Sequence, residues 1–250
     1  MLHSPAMSLP PVDLPFLREQ FRDLARQLRE AWESSGLSLD EADDPAVLGD
    51  AMSQLVGILE QVSGDNPEAQ VSSSELNTLG EYGLHLLDEL AKLADQLDQP
   101  AAAAEIQQLC LPFAVWMARQ GAEIRNLAPV VNGLAHFANQ ASQPQAMAAL
   151  YSYCCELVDA ASPACEEHQT GEAHQPWRLL LINRAIVATR SHNPELMEPA
   201  FDAIVECLPQ EAQRFFAEGM EQMAIIDYPT QVRDLVRRYY LAHTQRRLLH

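Results

Sequence analysis

Between Asp13 and Trp32 the apolar residues Leu14, Leu17, Phe21, Leu24, Ala25, Leu28, Ala31 and Trp32 recur at intervals of three and four, the spacing that lines one face of a helix. Asp13 stands where an N-cap belongs, and Pro15 falls in the first turn, where a missing N–H does no harm. The same periodicity predicts helices over 45–62, 74–97, 100–120, 126–140, 144–161, 176–190, 194–208, 209–225 and 229–248. No stretch alternates with period two for long enough to argue a sheet. The pattern therefore predicts an all-α fold of about ten antiparallel helices joined by short connections marked by proline. Residues 1–12, rich in proline, read as a disordered leader, and 13–248 as a single all-helical domain with a long polar loop over 162–175.

Five of the helices open alike. A proline follows DD at Pro45, DQ at Pro100, SQ at Pro144, HN at Pro194 and DY at Pro229. The third residue after each proline is Leu48, Ala103, Met147, Met197 or Val232, the sixth is Ala51, Ile106, Leu150, Ala200 or Leu235, and the tenth is Leu55, Cys110, Cys154, Ile204 or Tyr239. VVNGLAHFANQASQPQAM and LINRAIVATRSHNPELM also share a preceding helix with asparagine early and alanine near its end. Over roughly 45–248 this resembles degenerate helical repeats of the tetratricopeptide, HEAT or armadillo kind. The resemblance implies an irregular α-solenoid-like array with a concave face that binds a peptide, a helix or another domain. The alternative is a compact multi-helix bundle whose helices begin with proline because proline suits a first turn.

Charge narrows the partners. The formal net charge is −19, although Arg233, Arg237, Arg238, Arg246 and Arg247 face only Asp234 after Tyr228. An acidic body repels a phosphate backbone, so nucleic acid is expected only at the basic C-terminal helix, where Arg233 and Arg237 stand one turn apart. The acidic surface favours a basic protein partner by steering it inward. No apolar run approaches the roughly 20 residues needed to span a bilayer. The five cysteines, Cys110, Cys154, Cys155, Cys165 and Cys207, are odd in number and partly embedded in helical pattern, which points to a reducing, cytoplasmic setting.

The chain carries no glycine-rich phosphate loop, nucleophile elbow, paired-histidine zinc helix or CxxC pair. The densest group of ligand-type residues is PACEEHQTGEAHQPW, where Cys165, His168 and His174 make a thiolate and two imidazoles, a donor set suited to zinc. The rival reading is a polar connector that needs no cofactor. Glu81, His85 and Asp88 occupy neighbouring turns of one helix and read as a polar flank or, less simply, an acid–base group. Gly80 and Gly83, inside an apolar helix, provide for close approach of a second helix, and Pro112 in LCLPFAVWMA reads as a kink in a buried one.

The sequence thus predicts a protein that binds another macromolecule in a groove between helices, more readily than an enzyme. Phe137, Tyr151, Tyr153 and Trp177 are its candidate apolar anchors, Arg233 and Arg237 its candidate basic contacts. Self-association is a further expectation, because the end of a solenoid needs a cap. The alternative is a metal-binding protein or metal-dependent enzyme using Cys165, His168 and His174.

Overall fold

The computed structural model describes residues 9–36, 44–63, 71–167 and 174–245. Among them the chain is all-α. Helices α1 (Leu14–Ser35), α2 (Pro45–Ser63), α3 (Ser73–Gln96), α4 (Pro100–Arg119) and α5 (Ala128–Gln140) precede α6 (Pro144–Ala160) and the short α7 (Pro163–Glu167). They are followed by α8 (His174–Arg190), α9 (Pro194–Cys207), α10 (Pro209–Ile225) and α11 (Thr230–Gln245). The β-type pairing seen among these residues is one isolated parallel bridge, Ile124 to Ala161. Of the leader expected over 1–12, residues 1–8 lie outside the described residues, as does Leu248.

The helix starts have local causes. Asp13 is the N-cap of α1, its Oδ1 accepting from the Phe16 N–H at 2.8 Å. Ser72 and Glu75 form a capping box at α3, each side chain bonded to the other's backbone N–H. Asn193 accepts from the Glu195 N–H at the start of α9. One helix departs from expectation: the polar segment after Ser162 forms α7, and α8 begins at His174 rather than Pro176. Ser162 followed by Pro163 is itself a helix-start signal, with the Cys165 N–H bonded to the Ser162 carbonyl at 2.8 Å. The polar composition of the stretch masked it.

The stripe shared by the five proline-led helices faces inward. Leu48, Ala103, Met147, Met197 and Val232 are all buried, as are Ile106, Leu150, Ala200 and Leu235 and then Leu55, Cys110, Cys154 and Ile204. Ala51 and Tyr239 are half-buried. Each fully buried leucine, isoleucine or valine contributes about 1.5–3 kcal/mol.

The chain packs as two compact units, one drawn from residues 10–137 and 156–176, the other from 138–155 and 177–245. In the first, α1 packs on α2 and α3 on α4. Gly83 of α3 makes the closest approach: a Cβ there would stand 2.2 Å from Cζ of Phe113 on α4 and 3.0 Å from a methyl of Leu55 on α2. Gly80, one turn earlier, meets Met117 in the same way. Gly133 lets α5 approach α4, since a Cβ there would come within 3.1 Å of the Gln107 carbonyl oxygen. Pro112 lies within α4 and is buried. After α4, Gly121 takes a left-handed φ of 85°, and the buried Asn77 then accepts from the Glu123 N–H at 2.8 Å.

In the second unit α10 packs on α11 and both on α9. Their core is aromatic: Phe201, Phe216 and Tyr239 stand with ring centroids 5.2 Å apart in each pair, and Phe215 lies against the first two in edge-to-face contact.

These packing distances give opposite signs to two glycine substitutions. Gly83→Ala should destabilise the chain by about 1–3 kcal/mol through overpacking against Phe113. Gly57→Ala, mid-helix in α2 with nothing within 4 Å of the new methyl, should stabilise it by about 0.4–1 kcal/mol. Urea unfolding of the two variants beside wild type checks both.

Candidate functional site

Three clefts stand out. A polar one of about 280 Å³ lies along α1, lined by Gln20, Asp23, Arg26, Gln27, Glu30 and by Glu105 of α4. A second, of about 500 Å³, is bounded by Arg119, Glu123, Glu156 and Asp159. There Arg119 is already bound by both carboxylate oxygens of Glu156, at 2.6 and 3.1 Å, which leaves it little to offer a ligand.

The third, of about 580 Å³, is apolar and lies within the second unit. Its floor and walls are Ile182 and Ile186 of α8, Phe201 of α9, Phe215, Phe216, Met223 and Ile226 at or just beyond α10, and Val236 of α11. Gly219 lets α10 approach α11 at the floor, since a Cβ there would stand 3.2 Å from a Val236 methyl. Two of the apolar lining residues are exposed, Ile186 at 39% and Ile226 at 47%, and Ile225, adjacent in the chain, is 78% exposed. Large aliphatic side chains left in contact with water beside a groove are the usual mark of a contact surface.

The polar groups of this groove are mostly committed. The Thr189 hydroxyl donates to the Ala185 carbonyl at 2.9 Å. Arg190 donates to the carbonyl oxygens of Ala138 and Ala141, the latter at 2.6 Å, and so satisfies acceptors that the end of α5 leaves without helical partners. Glu218 pairs with Arg214 one turn away at 2.9 Å. Burial holds the Tyr228 phenol above its usual range. The lining contains no cysteine, histidine, serine or lysine, so it offers no side-chain nucleophile of those types and no imidazole for proton transfer.

The anchors expected from sequence take other places. Phe137, Tyr151 and Trp177 are core residues at 5%, 7% and 5% exposure, while Tyr153 is half-buried on α6. None of the four lines the apolar groove. The Tyr151 hydroxyl accepts from Nη2 of Arg184 at 3.4 Å, and the guanidinium lies 5.5 Å over the ring centroid. Arg233 faces Asp227 at 3.5 Å and Arg237 is exposed on α11. Next to it Arg238 pairs with Glu198 of α9, and Tyr239 donates to Asp202 at 2.6 Å. The terminal helix therefore lays part of its basic face on acidic residues of its own unit.

Of the candidate zinc ligands, Cys165 sits on α7 with Sγ 3.3 Å from the Arg125 carbonyl oxygen, within reach of a thiol hydrogen bond. His168 and the side chain of His174 lie outside the described residues. Among the described residues no group of three or more histidine, cysteine, aspartate and glutamate side chains is close enough to hold a metal ion. Glu81, His85 and Asp88 each turn to a different neighbour: Arg125 at 3.3 Å, Glu89 at 3.8 Å and Lys92 at 2.8 Å.

Sequence reasoning missed the groove because its walls come from helices whose apolar residues are read as core. The signal was present in Ile225–Ile226 at the end of α10: Ile226 continues the three-and-four spacing of Phe216, Gly219 and Met223, and Ile225 leaves it. Adjacent positions on a helix cannot share one face.

Several buried acids set the response to alkali. Burial pushes the Cys110 thiol up to about 12, from an ordinary value of 9.0, and raises Cys154 further still. Burial also raises the phenols of Tyr151 and Tyr239, the latter helped by its bond to Asp202. The unfolded chain loses these protons first, so the stability they contribute is complete below about pH 9 and declines as pH rises toward 12. Urea midpoints should fall between pH 9 and 10.5, and more gently in Cys110→Ala, because each such thiol is worth up to about 1.4 kcal/mol per pH unit in that window.

No family model matches the chain, and comparisons with curated proteins and with solved structures find no match.

Proposed function

We propose that the chain is a protein-binding module whose apolar groove along α10 receives a segment of a partner protein. The observation that carries this reading is that the apolar lining opens to water at Ile186 and Ile226, so that the lip of the groove is itself apolar surface. A polypeptide segment laid along α10 covers both of these side chains from water. A small-molecule site also gathers a few convergent polar groups that fix orientation, and here the Thr189, Arg190 and Glu218 side chains are taken by neighbours. On this reading the helices form an irregular repeat array of the α-solenoid kind, acting as a scaffold or adaptor in the cytoplasm.

The test uses substitutions on the lip of the groove rather than in its floor. Ile186→Glu and Ile226→Glu place a charge where half the side chain is already in water, so thermal unfolding should stay within a few degrees of wild type. A partner retained by immobilised wild type and identified by mass spectrometry should bind each variant at least tenfold more weakly, as expected for loss of an apolar anchor. Equal retention by wild type and both variants would overturn the assignment of this groove.

A further inference from the structure

The groove proposed above as a protein-binding site also restricts what can occupy it, and this inference rests on that reading. Its boundary is helical except at Ile226 and Tyr228, whose N–H groups are already bonded to the Gln222 and Ile226 carbonyl oxygens. The backbone groups of α8, α9 and α10 are bonded within their own helices, so the floor has no row of free N–H and C=O groups to pair with an extended strand. A strand laid on Phe215, Phe216 and Met223 would bury its own amides unsatisfied, at a cost comparable to a lost hydrogen bond for each. A helix satisfies its backbone internally and presents only side chains. From Phe215 to Ile226 the groove follows α10 for roughly 16 Å, at about 1.5 Å per residue, which matches about three turns of an occupying helix.

Charge selects its flank. Glu218 and Glu221 lie on the rim three residues apart, both exposed. Glu218 shares its carboxylate with Arg214 in an exposed pair, and such pairs are easily exchanged. Glu221 makes no ion pair among the described residues. Arg190, the one lysine or arginine of the lining among the described residues, has both terminal nitrogens engaged with carbonyl oxygens. The groups left to meet a partner's charge are carboxylates, on a chain whose net charge of −19 steers cations toward it. Helix α11, with Arg233, Arg237 and Arg238 against Asp234, is not available to a second copy in this role, because its apolar residues Val232, Leu235 and Val236 are buried in their own unit.

We infer that the occupant is an amphipathic helix of about three turns from a partner protein, carrying lysine or arginine beside an apolar stripe at i, i+3, i+4 and i+7.

The experiment titrates the full chain against three fluorescently labelled helical peptides of equal length. One has an apolar stripe flanked by lysine, one has the same stripe flanked by glutamate, and one keeps the lysines but scrambles the stripe. Fluorescence anisotropy at low and moderate salt reads the affinities, and sedimentation reads self-association. The lysine-flanked peptide should bind at least tenfold more tightly than either of the others. Glu221→Arg should cut that affinity severalfold and flatten its salt dependence, and Ile226→Glu should reduce it by tenfold or more. Equal binding of the lysine- and glutamate-flanked peptides, both lost in Ile226→Glu, would overturn the cationic flank and leave the groove reading standing. Equal binding of the scrambled peptide would show attraction by bulk charge and overturn the helix. No binding by any peptide would overturn the inference, and a concentration-dependent dimer abolished by Ile226→Glu would make a second copy the occupant instead.

Discussion

Isolated helices of the lengths found here, mostly between 13 and 24 residues, are marginal in water because nucleation is costly and each added residue gains only one backbone bond. Each of the longer helices therefore depends on burying an apolar stripe. That requirement decides where residues at the third, sixth and tenth places after the prolines point, and it explains why Cys110 and Cys154 serve as small core residues rather than reactive thiols. Their raised thiols follow from the same burial. The closest helix contact, Phe113 against Gly83, is the extreme case: the ring takes the space that any side chain at 83 would need.

Most helix boundaries were legible because their signals are local. Asp13, Ser72 with Glu75, and Asn193 act on the backbone within three residues, and proline at the first position acts on itself. Gly80 and Gly83 announced a close approach, though only the structure names Met117 and Phe113 as the side chains that fill it. The turn at Ser162–Pro163 was legible by the same rule and was hidden by the polar composition around it.

The groove was not legible for a different reason. Aromatic residues such as Phe137, Tyr151 and Trp177 attract attention as anchors, yet burial is the ordinary fate of large apolar side chains, and these three follow it. A groove arises where four helices fail to close over their own apolar residues. Whether Phe215 faces a neighbour or water depends on where α8 and α11 lie, which no pattern within α10 encodes. Only the pair Ile225–Ile226, the first out of step with the stripe that the second continues, carried a local trace of it.

Phe216 and Phe201 belong to the aromatic core of α9, α10 and α11 and to the floor of the groove at once, whereas Ile186 and Ile226 belong to the lip alone. The floor is thereby constrained twice, by folding and by contact, and the lip only once. Over evolutionary time the two should diverge at different rates: a new preference among binding segments can be acquired by exchanging lip residues without disturbing the packing beneath, while a change in the floor would have to be matched by a compensating change in the core.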